Sequence, residues 1–447
     1  MNKYWTKGIL ALSMMAMPIM TNAKQWTLQE CINYALQNNI TIQKNHLLKL
    51  KANEDVLESK AALLPSLSAS TSQNVNYTPW VESGAVSSDG YSRSSVDKVS
   101  YNGTYSVNAN WTIWNGNRNK NTIKLNQLAS EKASIDSVTT ALSIQEQIVQ
   151  YYIQILYSKE AIKVNKQSLE MSKENLSRGQ EMLKVGKMSK ADVAQLEAQV
   201  AQDQYNVVSS QSNVANYKRQ LKQLLQITND EDFDIAVTEQ TNEMALSSVP
   251  SLNSVYAAAL ETRPEIKSYQ NAIDQSDISI KMAKAQNLPT ISANAGLSTS
   301  STSLSSTNIG SQLKTNFALG GGLTVSIPIF DNRSKKTATN KAIINKQQSI
   351  LDLKDKQTEL YSTIENYWIQ ATSNQNQYKA ASISTNSALE SYKLLSEQFK
   401  LGLKNIVELR TGKNNLLTAQ QNELQSKYLT ILNINMLNFY KNGSLDK

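Results

Sequence analysis

The chain has 447 residues, a formal net charge of +8 and a hydrophobic fraction of 40%. Its 7 prolines and 15 glycines fall well below the average usage of roughly 5% and 7%, so long uninterrupted elements are expected. A single cysteine and a single histidine exclude an internal disulfide, Cys/His zinc sites and most histidine-dependent triads. Because the basic residues are spread along the sequence, nucleic-acid binding is not indicated.

The N-terminal segment, residues 1–23, is typical of a secretory signal peptide. Lys3 and Lys7 precede an apolar run over residues 8–20, and small residues at 21–23 complete the pattern. The run is too short to span a bilayer as a helix, and no later stretch is long and apolar enough. The mature protein is therefore expected to be exported without a helical anchor.

An internal duplication organises the rest of the chain. Residues 64–69 (LPSLSA) match residues 288–293 (LPTISA), and residues 184–186 (KVG) match residues 400–402 (KLG). Repeated units of this kind predict a repeated fold. The predicted domains are a first repeat unit over 24–227, a polar linker or equatorial segment over 228–250 and a second repeat unit over 251–447.

Each unit predicts the order helix, strand, strand, very long helix, helix. In the first unit, residues 27–30 (TLQE) form a capping box that opens a helix ending before Pro65. The long helix is predicted from Asn115 to about Lys184, and about 70 residues at about 1.5 Å each would span about 100 Å. The other long helical patterns cover residues 186–227, 333–400 and 404–440.

Four segments alternate between apolar residues and Ser, Asn or Thr. The predicted strands cover about 66–78, 99–114, 290–303 and 313–328. This period of two is typical of outer-membrane barrel strands, which have lipid on one face and water on the other. We interpret Tyr101 and Tyr105, with Trp111 and Trp114 near the far end, as aromatic girdles. A soluble β-sandwich would explain the alternation, but not the signal peptide and aromatic ends together.

Four strands cannot close a barrel, and an open sheet edge in lipid leaves backbone groups without hydrogen-bond partners. Several chains must therefore share one barrel. Three chains would give 12 strands, a number that can enclose a channel, although dimers or tetramers would also satisfy closure.

The chain resembles the TolC family of outer-membrane efflux proteins over essentially its whole mature length. The motifs in this order and spacing are Leu64-Pro65, Leu288-Pro289, residues 259–266 (ALETRPEI), residues 328–331 (PIFD) and residues 399–409 (FKLGLKNIVEL). The resemblance implies a mainly α fold with a small β-barrel portion. Three chains would form a 12-strand outer-membrane barrel, continued by a 12-helix periplasmic tunnel.

The resemblance also implies a location and partners. The protein would lie in the outer membrane of a Gram-negative bacterium, contact its lipid and extend into the periplasm. As a homotrimer it would dock to a periplasmic adaptor, also called a membrane fusion protein, and through it to an inner-membrane pump. It would be a passive duct for multidrug efflux or type I secretion and not an enzyme, without cofactor, metal or nucleic acid.

The resemblance further implies a gate at the helical tip, held by acidic rings and polar links between helices. Aligned on Gly402, Glu408 lies at the first aperture acid and Lys404 at a basic link residue. Aligned on Gly186, Asp192 lies at the partner acid.

Departures from the family pattern weaken the expected gate. Thr411 occupies the second acid's position, and Phe399 replaces a tyrosine whose hydroxyl would bond the Asp192 position. Arg410 and Lys190 add positive charge, which argues against cation selectivity. The alternative interpretation of these residues is an ordinary set of solvated helix-end charges.

Two other classes of function compete with the duct. The long helices and the Ser/Asn-rich strands would also suit an exported helical filament subunit, although the signal peptide, the duplication and the separate strand pairs argue against it. A hydrolase is disfavoured because no carboxylates pair in a pocket-like context. The cargo class stays open, since specificity in such systems lies mainly in the pump.

Overall fold

A computed structural model describes residues 25–80, 97–228, 233–237 and 242–443. The elements of the first half are β1 (Gln25–Trp26), α1 (Leu28–Asn38), α2 (Ile40–Ala61), β2 (Ser66–Tyr77), β3 (Val99–Trp114), α3 (Arg118–Lys184) and α4 (Lys190–Leu225). Those of the second half are β4 (Asp234–Ile235), α5 (Asn242–Leu246), α6 (Leu252–Thr262), α7 (Pro264–Ala285), β5 (Thr290–Thr302), α8 (Ile309–Thr315), β6 (Ala318–Ser326), α9 (Ser334–Lys400) and α10 (Ile406–Asn442). The predicted signal peptide lies outside the described residues.

The two halves of the chain repeat one order of elements. The long helices α3 and α9 each contain 67 residues, and α4 and α10 contain 36 and 37. These helices run without interruption because no proline occurs in them. Among the described residues, no helix combines the length and the apolar character that crossing a membrane requires.

The N-terminal helix of each unit is broken at equivalent positions. The predicted capping box of Thr27 and Glu30 is present, but the single helix expected before Pro65 splits at Asn39. Asn39 has extended backbone, and its side-chain amide donates to the Leu224 carbonyl at 2.8 Å. In the second unit Arg263 is extended, as expected for a residue that precedes proline.

The four long strands form one antiparallel sheet in the order β2-β3-β5-β6. Its register places apolar residues beside apolar residues on neighbouring strands. One such row across the sheet contains Ala69, Val107, Leu297 and Leu319. Paired residues lie on the same face, so one face is apolar and the other carries Ser, Asn and Thr. The outer strands β2 and β6 are exposed throughout and pair on one side only.

A β-bulge changes the face of Trp114. With strict alternation, Trp114 and Trp111 would lie on opposite faces of the sheet. The register shifts between Thr112 and Trp114, however, and Trp114 pairs with Ile291. A bulge inserts one unpaired residue, and Trp114 thereby joins the apolar face. Trp111 is 42% exposed, and its indole donates to the Leu63 carbonyl at 2.8 Å. Tyr101 and Tyr105 lie exposed on the same face at the other end of β3.

The fourth strand begins later than predicted. The expected start was residue 313, but residues 309–315 form α8 with Asn308 as N-cap, and β6 starts at Ala318. Beyond Ser298, β5 therefore has no strand beside it on that edge. The Gln312 and Asn316 side chains bond the freed backbone groups of Thr302 and Ser300. The helix replaces strand pairing because its amide side chains satisfy those groups.

The described residues divide into two compact units. One lies within residues 1–39, 144–249 and 369–436 and contains the turns between the long helices. The other lies within residues 40–143, 250–368 and 437–447 and contains the four-stranded sheet. In this sheet unit the Arg263 guanidinium lies 4.4 Å from the Tyr440 ring centroid and pairs with Glu265 at 2.8 Å.

The short strand β4 in the equatorial segment is held by two lysines. The Asp234 carboxylate lies 2.6 Å from the Lys159 amine and 2.9 Å from that of Lys218, and the Tyr152 hydroxyl donates to the Ala236 carbonyl at 2.7 Å. Burial raises the pKa of Asp234, but hydrogen bonds from Lys159 and Lys218 outweigh that effect and lower it.

We expect the equatorial segment to loosen in acid. A lowered pKa means that this stabilisation is present above the ordinary value of 3.8 and is lost as the pH falls through the lower folded-state value. Hydrogen exchange over residues 233–237 should therefore accelerate in that window. Asp234→Asn should raise exchange at neutral pH and abolish the acid step. An acid step that persists in this variant would contradict the assignment.

Candidate functional site at the helical turns

The two turns that join the long helices have the same backbone geometry. Gly186 and Gly402 follow α3 and α9 with φ of 73° and 75°, and no atom lies within 4 Å of an added Cβ at either position. The Gly186 N–H bonds Leu183 O at 3.0 Å and the Lys187 N–H bonds Met182 O at 2.8 Å, with equivalent bonds at Gly402. These are Schellman turns, so glycine is required by the left-handed backbone and not by close packing.

The helices that follow these turns open on equivalent capping boxes. The Ser189 side chain caps α4, and the Asp192 carboxylate accepts a hydrogen bond from the Ser189 N–H at 3.4 Å. Asn405 accepts from the Glu408 N–H at 2.9 Å, and the Glu408 carboxylate accepts from the Asn405 N–H at 3.3 Å. The two predicted gate acids are thus the same capping position in the two repeats.

The basic link residue of the predicted gate pairs within its own helix end. The Lys404 amine lies 2.5 Å from the Glu408 carboxylate, with both side chains more than a third exposed. The hydrogen bond from Lys404, and then that from the Asn405 backbone, lowers the pKa of Glu408. Across the described part of the chain, no hydrogen bond or ion pair joins Asp192 to Lys404 or Glu408. Arg410 is exposed.

Phe399 lies in an apolar cluster beneath the turns. It is 1% exposed and packs with buried residues from α4, α9 and α10. The buried members of this cluster are Leu196, Tyr392, Phe399, Ile406, Leu409 and Leu416. Phenylalanine fits here because a tyrosine hydroxyl would need a partner in an apolar surrounding.

A buried polar network joins three helices next to this cluster. Lys413 of α10 forms an ion pair with Asp203 of α4 and donates to the Ser172 hydroxyl of α3 at 2.5 Å. Ser172 also donates to Asp203 at 2.6 Å. The Lys413 and Asp203 side chains are 2% and 1% exposed. A second polar link between helices is the bond from the Asn175 amide to the Tyr392 hydroxyl at 3.1 Å.

The sequence analysis does not predict this network, although the spacing of apolar residues along α10 indicates that Lys413 is buried. Lys413 lies four residues after Leu409 and three before Leu416, two fully buried residues, and so occupies a core position of α10. Burial lowers the pKa of Lys413, and the hydrogen bond and charge of Asp203 partly oppose that shift. A charge in such a place needs its partner.

Comparisons with known proteins agree with this fold. The sequence matches the outer membrane efflux protein family over residues 31–226 and 255–440, one match in each repeat. Comparison with curated protein sequences gave no match.

Three solved outer-membrane proteins, two of them described as channels, resemble the structure. CmeC from Campylobacter jejuni has 18% identity and a TM-score of 0.75, covering 93% of this chain and 86% of its own. VceC from Vibrio cholerae has 15% identity and a TM-score of 0.74, covering 94% and 97%. The open state of MtrE from Neisseria gonorrhoeae has 17% identity and a TM-score of 0.71, covering 93% and 88%. At these identities the likeness establishes the fold alone.

Proposed function

Because this chain belongs to the outer membrane efflux protein family, we propose that it forms a homotrimeric duct that passively conducts export substrates out of the cell. Family membership makes the protein an efflux channel of the outer membrane that extends into the periplasm, and not an enzyme. Family membership does not establish the number of subunits, the partner proteins or the type of cargo, and these are what we propose.

The open edges of the four-stranded sheet carry the proposal. β2 and β6 each present one unpaired edge, and apolar rows such as Ala69 to Leu319 continue to both edges. In lipid every backbone N–H and C=O needs a partner, so β6 of one copy must pair with β2 of the next. Three copies would give 12 strands with the Ser, Asn and Thr face turned to a hydrated lumen.

The long helices would form the periplasmic part of the duct. α3 and α9, with 67 residues each, have about the length expected for a tunnel of about 100 Å. The energy for export would come from an inner-membrane pump, reached through a periplasmic adaptor at the helical turns. The cargo would be a small molecule or a type I secreted protein, as the pump selects.

Fractionation followed by electrical recording tests this function. We expect a heat-modifiable trimer in the outer-membrane fraction that forms ion-conducting channels in planar bilayers. A filament subunit recovered from the medium, or a periplasmic monomer without conductance, would overturn the proposal.

We also propose that the charged residues at the turns belong to the gate. The supporting observation is the exposed Lys404–Glu408 pair, which adaptor contacts could replace. Lys404→Ala or Glu408→Ala is expected to change the conductance of the closed channel and its ion selectivity in bilayers. Lys166→Ala, an exposed lysine of α3 far along the sequence from the turns, is the control. Conductance and selectivity equal to the wild type would remove these residues from the gate.

A further inference from the structure

The helix ends that adjoin the four-stranded sheet carry an excess of positive charge. We define the basic collar as the last two turns of α2 and α7, the first two turns of α3 and α9, and their connections to the strands. Its cationic residues are Lys60, Arg118, Lys120, Lys124, Lys281, Lys284, Arg333, Lys335 and Lys336. Its acids are Asp55, Glu58 and Asp331. The collar therefore contributes six of the eight net positive charges of the whole chain.

The fold gathers these charges, which are scattered in the sequence. The Asn119 amide of α3 donates to the Ala62 carbonyl after α2 at 3.3 Å. Gly116, before α3, lies against Ala285 at the end of α7. Thr290 pairs with Ser326, so the start of β5 and the end of β6 lie at the same end of the sheet, and α9 begins eight residues after Ser326.

Among the described residues, one of the nine cations of the collar has an ion pair. Several lysines elsewhere pair with an acid three residues away, as in Lys163–Glu160 and Lys393–Glu390. In the collar, Lys335 lies 3.9 Å from Asp331. The other eight cations are exposed, and within the described ranges none of them has an ion pair. They are thus available to an external anion.

The cations at the starts of α3 and α9 oppose the helix dipoles, whereas Lys60 and Lys284, in the last turns of α2 and α7, lie where a dipole favours positive charge. The first turns of α3 and α9 contain no acid, and each contains two basic residues, Arg118 and Lys120 in α3 and Lys335 and Lys336 in α9. Helix N-termini favour negative charge. This arrangement costs helix stability, and a layer of external anions would offset the cost.

We propose that the basic collar binds the anionic headgroups of phospholipids at the periplasmic face of the bilayer. The inference rests on the proposed function, in which the apolar face of the sheet lies in lipid. Trp111 and Trp114 mark the helix-proximal edge of that face, and the collar follows directly after it in the chain. Continuity with the lipid-facing surface favours a lipid layer over a soluble anionic partner, because positive residues next to a bilayer attract anionic lipid.

The experiment uses the full-length trimer in vesicles of equimolar phosphatidylcholine and phosphatidylglycerol. The lipids that remain bound after mild detergent extraction are counted by mass spectrometry. The wild type should retain more phosphatidylglycerol than phosphatidylcholine. The triple variant Arg118→Gln, Lys284→Gln and Lys336→Gln should lower this preference by about tenfold. Added inorganic phosphate should not displace the bound phosphatidylglycerol, because free phosphate ions do not form the continuous anionic surface that a bilayer offers to the collar.

The matched control removes one arginine and two lysines elsewhere: Arg219→Gln, Lys166→Gln and Lys379→Gln, all exposed in the other unit. It should keep the wild-type preference. Three results would overturn the proposed lipid binding. The wild type would show no preference for phosphatidylglycerol, the collar variant would keep the preference, or the control would lose it as much as the collar variant. If the collar variant fails to insert, the wild type is measured at high salt, which screens charge attraction. A preference for phosphatidylglycerol that survives high salt would then overturn the proposed lipid binding. Failure of every form to insert would contradict the proposed function itself.

Discussion

Replacing Lys413 by methionine is expected to lower the free energy of unfolding by about 3–5 kcal/mol, because it leaves the Asp203 carboxylate buried without its counter-charge. Asp203 is 1% exposed and lies among α3, α4 and α10. Methionine keeps the unbranched shape of lysine, so the loss reflects charge and hydrogen bonding more than a cavity. Urea unfolding in detergent, followed by helical circular dichroism, measures it.

A double-mutant cycle separates the ion pair from packing. Lys413→Met with Asp203→Leu removes both charges and should recover most of the loss, since apolar replacement of a complete buried pair is often neutral. The matched control is Lys404→Met, which breaks the exposed pair with Glu408 and should change the free energy of unfolding little, because solvent screens that pair. Additive effects of the two substitutions, or equal losses at Lys413 and Lys404, would contradict the account.

The second large effect is expected in the sheet, where neighbouring residues should behave oppositely. Leu297 lies in the apolar row with Val107 and Leu319, and Ser298 pairs with Ser106 on the other face. Leu297→Arg would place a charge in lipid at a cost of about 2–4 kcal/mol per chain near the midplane, three times in a trimer. The variant should lose most of its heat-modifiable trimer in the membrane fraction.

Ser298→Arg is the control for that substitution, with the same new side chain one residue further along β5. It should insert normally and should reduce cation conductance in bilayers, because arginines would line the hydrated lumen. Equal insertion of both variants, or failure of Ser298→Arg alone, would mean that the faces of the sheet are assigned the wrong way round or that the sheet does not lie in lipid.

The sequence predicted the elements best where one local rule governs them. The absence of proline predicted α3 and α9 to within three residues at either end. The Thr27 and Glu30 box predicted the start of α1, and parity predicted the two faces of the sheet. The errors arose where a distant contact replaced a local rule. Asn39 breaks a helix while its side chain bonds Leu224, and α8 replaces the expected start of β6 by bonding the edge of β5.

The candidate site shows the same division. Gly186 and Gly402 are recognisable from the sequence because the left-handed turn selects glycine. The sequence analysis assigns Asp192 and Glu408 to a gate, whereas in the structure each is the capping acid of a helix, with Ser189 or Asn405 three residues before it. The partner of Lys413 could not be read, because Asp203 is 210 residues away along the chain.

The scarcity of proline and glycine, the duplication and the period-two strands determined by themselves that this chain has long helices, few corners and one two-faced sheet. Those features follow from backbone sterics and from the alternation of side chains along a strand, both of which act within a few residues. Only the tertiary structure decided that Trp114 lies on the apolar face, that Lys413 is buried against Asp203, and that scattered cations form one collar. Such outcomes depend on register and helix packing, which bring together residues that no local pattern connects.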